Sequence, residues 1–139
     1  MIKVALDAMG GDNAPIATVE GAVQAVRDVK DLEVVLAGPK AVLEVELAKL
    51  GTFDRISIVD APQEVGMDES PASILKTKPE SGLVKCVALQ KSGEVSASVS
   101  AGNSGAMMAA CLMILGRTGG ISRPAIVSMA EQSYEFVNP

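Results

Sequence analysis

The sequence has 139 residues, 48% hydrophobic and 21% charged, and its 12 basic and 17 acidic side chains leave a net charge of −5. That size and balance describe one globular domain with a real core, not a disordered tail. The absence of histidine excludes imidazole catalysis and His-ligated metals within these residues, and acidity with only 2% aromatics argues against a nucleic-acid partner.

Ile2 to Leu6 opens the chain as a short apolar run that reads as a buried strand. It ends in Asp7-Ala8-Met9-Gly10-Gly11-Asp12-Asn13-Ala14-Pro15, a loop in which paired glycines let backbone approach an anion; a plain tight turn would use the same residues. Pro15 suits the first position of a helix whose face is Ile16, Val19, Val23 and Val26. Val34 to Ala37 reads as the second strand and Leu43, Leu47 and Leu50 as the second helix, stopped by Gly51. Ile56 to Val59 is a third strand.

The stretch from Asp60 to Ser81, with Pro62, Pro71 and Pro79, is long for a connection, and long loops are often functional. Pro71 can open a short helix running to about Lys78. Lys76 and Lys78 are cations in an acidic chain, while Asp68-Glu69 reads as a solvated pair rather than a metal site. Val84, Val87 and Ala88 mark a third main helix ended near Gly93. Val95 to Val99 is a strand leading into Ser100-Ala101-Gly102-Asn103-Ser104-Gly105-Ala106, whose hydroxyls, amide and N–H groups suit a helix cap, a phosphate or an oxyanion. The helix from Ser104 to about Arg117, ended by Gly119-Gly120, is apolar nearly all round and is expected to be central. Its run from Ala106 to Leu115 is about half of the ~20 residues a membrane span needs. Ala125 to Val127 reads as a fifth strand. Cys86 and Cys111 are too few for a disulfide framework and read as buried thiols in a reducing cytoplasm.

Strands alternating with helices predict a mainly parallel sheet in a three-layer α/β/α sandwich, with ligands beyond the carboxyl ends of the strands. The glycine spacing is not Gly-x-Gly-x-x-Gly and the second strand ends in Ala37-Gly38, so a nicotinamide cofactor is not expected.

Val4-Ala5-Leu6-Asp7-Ala8-Met9-Gly10-Gly11-Asp12 with Ala14-Pro15, followed by Ser100 to Ala106, resembles the two signatures of the bacterial acyl carrier protein:phosphate acyltransferases, the PlsX family of phospholipid synthesis. Met67-Asp68-Glu69, Pro71, Lys76, Lys78, Ser81, Gly116-Arg117, Ile121, Arg123, Pro124 and Ala125 continue the likeness. Asn13 stands where the family usually has histidine, Ser104 where it has threonine, Gly82 where it has the second serine of a pair, and Lys76 where it has arginine. The resemblance assigns residues 1–127 to the N-terminal part of such a domain and 128–139 to a divergent tail.

The resemblance implies a fold like that of isocitrate and isopropylmalate dehydrogenases and transfer of a fatty acyl chain from an acyl carrier protein thioester to inorganic phosphate. It implies Asn103 and Ser104 as catalytic residues. Asp7, Gly10, Gly11, Asp12, Asn13, Lys76, Lys78, Ser81, Ser100, Gly102 and Gly105 are implied to bind substrate or phosphate. It implies no metal or cofactor, a cytoplasmic homodimer and peripheral membrane association. Family members are considerably longer, so this portion alone is expected to be inactive. A non-catalytic module for a phospho-ligand or nucleotide is the alternative.

Overall fold

The computed structural model describes residues 1–126. Its elements run β1 (Ile2–Asp7), α1 (Ile16–Asp28), β2 (Leu32–Gly38), α2 (Lys40–Leu50), β3 (Ile56–Asp60), α3 (Ile74–Thr77), α4 (Gly82–Ser92), β4 (Ala97–Val99) and α5 (Ser104–Ala110). A π-helical turn, Cys111–Leu115, follows α5 directly. The strands form one parallel sheet in the order β3-β2-β1-β4, with Val4 opposite both Val34 and Ala97, and Leu36 opposite Ile58.

The side-chain alternation of the strands splits the core into two faces. Val34, Leu36 and Ile56 pack beneath α1 and α2 against Val19, Ala22, Val23, Val26 and Leu43. On the opposite face Ala5, Val35 and Ala37 meet Cys86 of α4 and Val95. A third cluster joins α4 to α5 through Leu83, Val84, Val87, Ala106 and Ala110, with Ile74 of α3. Helices on both faces of a parallel sheet make the three-layer α/β/α sandwich that the strand–helix alternation predicts.

Local chemistry sets the element ends. Gly51 and Gly93 stop α2 and α4 with positive φ, a backbone conformation strained for residues with a side chain. Ser81 caps α4 by accepting from the Val84 N–H. Pro15 stands one residue before α1, as its N-cap, rather than as its first residue, and Ile16 is exposed rather than part of the buried face.

Two expectations fail. Ala125 and Ile126 lie in no strand, so the sheet has four strands among the described residues; residue 127 and the proposed tail, 128–139, lie outside them. The apolar helix is neither as long nor as central as its composition suggests. It widens into the π turn at Cys111 and closes at Gly116, whose N–H donates to the Cys111 carbonyl. Only one side packs on α4, through Ala106 and Ala110, while Leu112 and Met113 on the other side are 38% and 64% exposed. Arg117 lies beyond the helix and donates to the Ser122 carbonyl at 2.8 Å. No described helix is long and apolar enough to cross a membrane.

Candidate active site

β1 is central: β2 and β3 extend the sheet on one side of it and β4 on the other. The strand order therefore reverses between β1 and β4, and a crevice opens beyond their carboxyl ends. The two glycine loops leave the sheet at that place. They touch through backbone: a Cβ on Gly102 would sit 3.2 Å from Gly10 Cα, and one on Gly10 would sit 3.0 Å from the Gly102 nitrogen. Gly11 adopts φ +111 and faces Ala101, a conformation open to glycine and costly for other residues. Thr18 of α1 ties the first loop down by donating to the Ala8 carbonyl at 2.6 Å.

Asp7, at the end of β1, is 5% exposed. Its Oδ2 accepts from the Ser100 hydroxyl at 2.8 Å, and the Ser100 oxygen accepts from the Gly102 N–H at 3.2 Å. A Cβ on Gly82, the first residue of α4, would lie 2.5 Å from Asp7 Oδ1. Burial raises the Asp7 carboxyl above the usual carboxylate range, against the lowering effect of Ser100 and the Met9 N–H, and Glu64 adds a smaller upward push.

The second loop enters α5 through Asn103, which is 8% exposed. Its Oδ1 caps the helix by accepting from the Ala106 N–H at 3.0 Å, and its Nδ2 reaches the carbonyls of Gly66, Met67 and Glu69 at 3.0–3.3 Å. One end of this amide thus fixes the start of α5 and the other holds the 66–69 segment over the loop. Gly105 packs against Pro71 of the same segment. Glu69 closes it by accepting from the Gly66 N–H and pairing with Lys78 at 3.2 Å, and those two contacts hold its carboxyl below the usual range.

The remaining sequence candidates divide. Ser104 is exposed at the crevice, and Asp12 and Asn13 are exposed at the tip of the first loop. Lys78 also donates to the Glu64 carbonyl at 2.8 Å, so its ammonium serves the segment beside the loops. Lys76 is exposed on α3 and forms no ion pair among the described residues. Ser81 is 1% exposed and spends its hydroxyl on the α4 cap, one residue before the Gly82 that faces Asp7. The family likeness includes Gly82 and Glu69 without giving either a role; the packing of α4 and the 66–71 segment against the loops shows what they touch.

Ser100, Gly102 and Ser104 form the polar end of a cleft of about 500 Å3. Its apolar walls come from Met107, Met108, Cys111 and Leu112 on one side and Ile121, Pro124 and Ile126 on the other. The arrangement offers N–H groups and a hydroxyl to an anionic or carbonyl oxygen, beside space for an apolar chain.

The chain matches the family described as fatty acid synthesis protein over residues 2–135. It is 42% identical to a phosphate acyltransferase of Clostridium beijerinckii over 90% of its own length and 38% of that protein. It is 46% identical to one of Salinibacter ruber, over 89% and 38% of the two chains. A phosphate acyltransferase of an Anaeromyxobacter species is 47% identical, over 91% and 35%. The chain therefore spans little more than a third of the length of these relatives.

Proposed function

The chain belongs to the fatty acid synthesis protein family, and from that membership we propose that its two glycine loops are part of an acyltransferase site. The reaction is transfer of a fatty acyl group from an acyl carrier protein thioester to inorganic phosphate. A phosphate oxygen attacks the thioester carbonyl, a C–O bond forms, and the C–S bond breaks to release the carrier's thiolate. Phosphate is nucleophilic near neutral pH and a thiolate leaves without much proton assistance, so the reaction suits a chain without histidine. The work left to the protein is positioning and charge stabilisation.

The observation that carries this reading is the meeting of Gly10-Gly11 with Gly102–Gly105 at the topological switch point, at the mouth of an apolar cleft. Backbone N–H groups of Gly11 and Gly105, with the Ser104 hydroxyl, bind the phosphate and the developing oxyanion, while Gly10 and Gly102 let the two loops meet through backbone. Asp12 and Asn13 border them, Ser100 and Asp7 set the floor, and Ser81 caps α4, whose Gly82 packs on Asp7. Lys76 supplies positive charge, and Lys78 braces the 64–69 segment beside the loops. Asn103 orders the second loop through its cap and its ties to residues 66–69. The cleft beside Met107 and Leu112 takes the acyl chain. Exposed Met108, Leu112, Met113 and Ile121 support a homodimer and peripheral membrane contact in a cytoplasmic protein.

The test is acyl phosphate formation from an acyl carrier protein thioester, trapped as the hydroxamate, with this chain and a full-length relative assayed side by side. Phosphate-dependent product from a full-length protein carrying these loops supports the reading, and its absence overturns it. The span of the match, little more than a third of each relative, favours a second reading for the chain alone: a phospho-ligand module that binds phosphate without turnover. Product from the relative but not from this chain, with phosphate bound by both, identifies that case.

A further inference from the structure

Asp7 and Ser100 form a built arrangement that the acyl-transfer chemistry does not itself call for. The carboxylate is buried, and glycines stand where its two oxygens would meet a side chain: Oδ2 lies 2.6 Å from the Cβ position of Gly10, and Oδ1 lies 2.5 Å from that of Gly82. Ser100 lines the polar end of the cleft, yet its one hydroxyl hydrogen points inward to Asp7. While Asp7 is ionised, Ser100 can turn only a lone pair toward the crevice, because a serine hydroxyl has a single hydrogen to give. A protonated Asp7 reverses the bond: the carboxyl donates to the Ser100 oxygen, and the serine hydrogen is free to turn outward.

We propose that Asp7 is a positioning residue that couples a proton to anion binding: taking up the proton turns the Ser100 hydroxyl toward a tetrahedral oxyanion held by the second glycine loop. The ligand class is a phosphate-like dianion, and the proposal rests on the anion-binding role given above to the glycine loops. Protonation supplies a donor where the ionised form turns only a lone pair toward the anion. The direction of the Asp7 shift agrees, since burial already favours the protonated form. The titratable groups acting on Asp7 are Glu64, from the segment after β3, and Cys86 of α4, whose thiol is itself held neutral by burial and by the Asp7 charge. β2 presents only the Ala37 backbone beside Gly82, and β4 leads into Ser100 itself. Asp7 is thus the group placed to take the proton.

Sulfate is the probe, because it stays a dianion from pH 5 to 8 while phosphate titrates. Binding to the 139-residue chain is followed by the amide NMR signals of Gly10, Gly11, Gly102 and Gly105. The wild-type affinity is expected to fall as pH rises, by up to about tenfold per pH unit once Asp7 ionises. Asp7→Asn, which cannot ionise, is expected to flatten the profile and to bind sulfate at least tenfold more tightly than wild type at pH 8. That gain is expected to vanish when Ser100→Ala is added, because the hydroxyl is the conduit.

A purely structural Asp7 predicts the opposite sign, weaker binding by Asp7→Asn with the wild-type slope retained, and that result overturns the proposal. A gain that persists without the Ser100 hydroxyl overturns it as well, leaving bare charge repulsion. Should Asp7→Asn fail to fold, Ser100→Ala alone decides: a wild-type pH slope in that variant overturns the proposal. If sulfate moves none of the four glycine signals at any pH in the folded wild-type chain, the anion-binding reading of the loops itself fails, and the coupling with it.

Discussion

Replacing Asn103 by alanine removes a helix cap and a three-way tie in one step. The cap, Oδ1 to the Ala106 N–H at 3.0 Å, is worth about 1 kcal/mol. Nδ2 has two hydrogens to share among the carbonyls of Gly66, Met67 and Glu69, which amounts to about two net bonds of 0.5–1.5 kcal/mol each. The site is 8% exposed, so water replaces these partners poorly. The expected loss for Asn103→Ala is therefore about 2–4 kcal/mol, read from urea unfolding with an unchanged slope. Asn103→Asp keeps the cap acceptor but loses the donors and faces three carbonyls with a charge, so it is expected to destabilise as well. Cleavage by a protease within residues 66–69 is expected to quicken in both. A loss below about 0.5 kcal/mol in Asn103→Ala would refute the geometry of this tie. In an active full-length protein, turnover should track the folded fraction. A drop of about 10²–10³ in kcat with stability retained would instead place the amide on the reacting group.

Gly82→Ala is expected to cost about 1–3 kcal/mol, because its Cβ would meet Asp7 Oδ1 at 2.5 Å and the Ala37 carbonyl at 2.6 Å; a melting temperature equal to wild type would contradict that packing. Cys86, fully buried and with its thiol pushed above the ordinary range by burial and Asp7, is expected to resist a thiol reagent in the native state. Cys111, partly exposed and shifted upward by burial alone, is expected to react first, and equal rates for the two would contradict the assignment. The raised Asp7 carboxyl makes a pH prediction with a definite sign: its folded value lies above that of an ordinary carboxylate, so the native state binds the extra proton, and stability from this group is present below the ordinary value and lost as pH rises through the folded one. Asp7→Asn should therefore gain on wild type as pH rises from about 4 toward neutrality, and a pH-independent difference between the two unfolding curves would refute the shift.

The parallel sheet was legible because buried strands of Val, Ile and Leu alternate with amphipathic helices, and both patterns depend on local periodicity. The meeting of the two loops was legible for the same reason: each follows a strand and precedes a helix, and parallel strands put all such loops on one edge. The apolar helix was misjudged because composition reports what a face would prefer to bury, not what the fold supplies to cover it. In the described residues α4 covers one side only, leaving Leu112 and Met113 exposed. Of the strand expected at 125–127, the two described residues fail for a related reason: Ala125 and Ile126 line the cleft instead of pairing. The roles of Asn103 and Ser81 were illegible because an amide or hydroxyl at a helix start suits a cap and a ligand equally well. The structure ties Asn103 to residues 66–69, which no local spacing brings into view, while the Ser81 cap reaches only to Val84, three residues on.

Asp7 shows why the chemistry of this edge converges on so few atoms. The end of the central strand is the one place that both the first loop and the loop after β4 must pass, because β4 lies directly beside β1 with Leu6 opposite Val99. A carboxylate placed there is buried by topology, so its hydrogen bonds carry more weight than they would in water. The volume it occupies then dictates glycine at position 10 in the first loop and at position 82 on α4. The Ser100 hydroxyl binds it to the second loop, and Ser100 in turn holds the Gly102 N–H. Two loops and one helix are therefore registered against the same side chain. A change in its charge reaches the crevice through one hydroxyl, that of Ser100, with no movement of the sheet required.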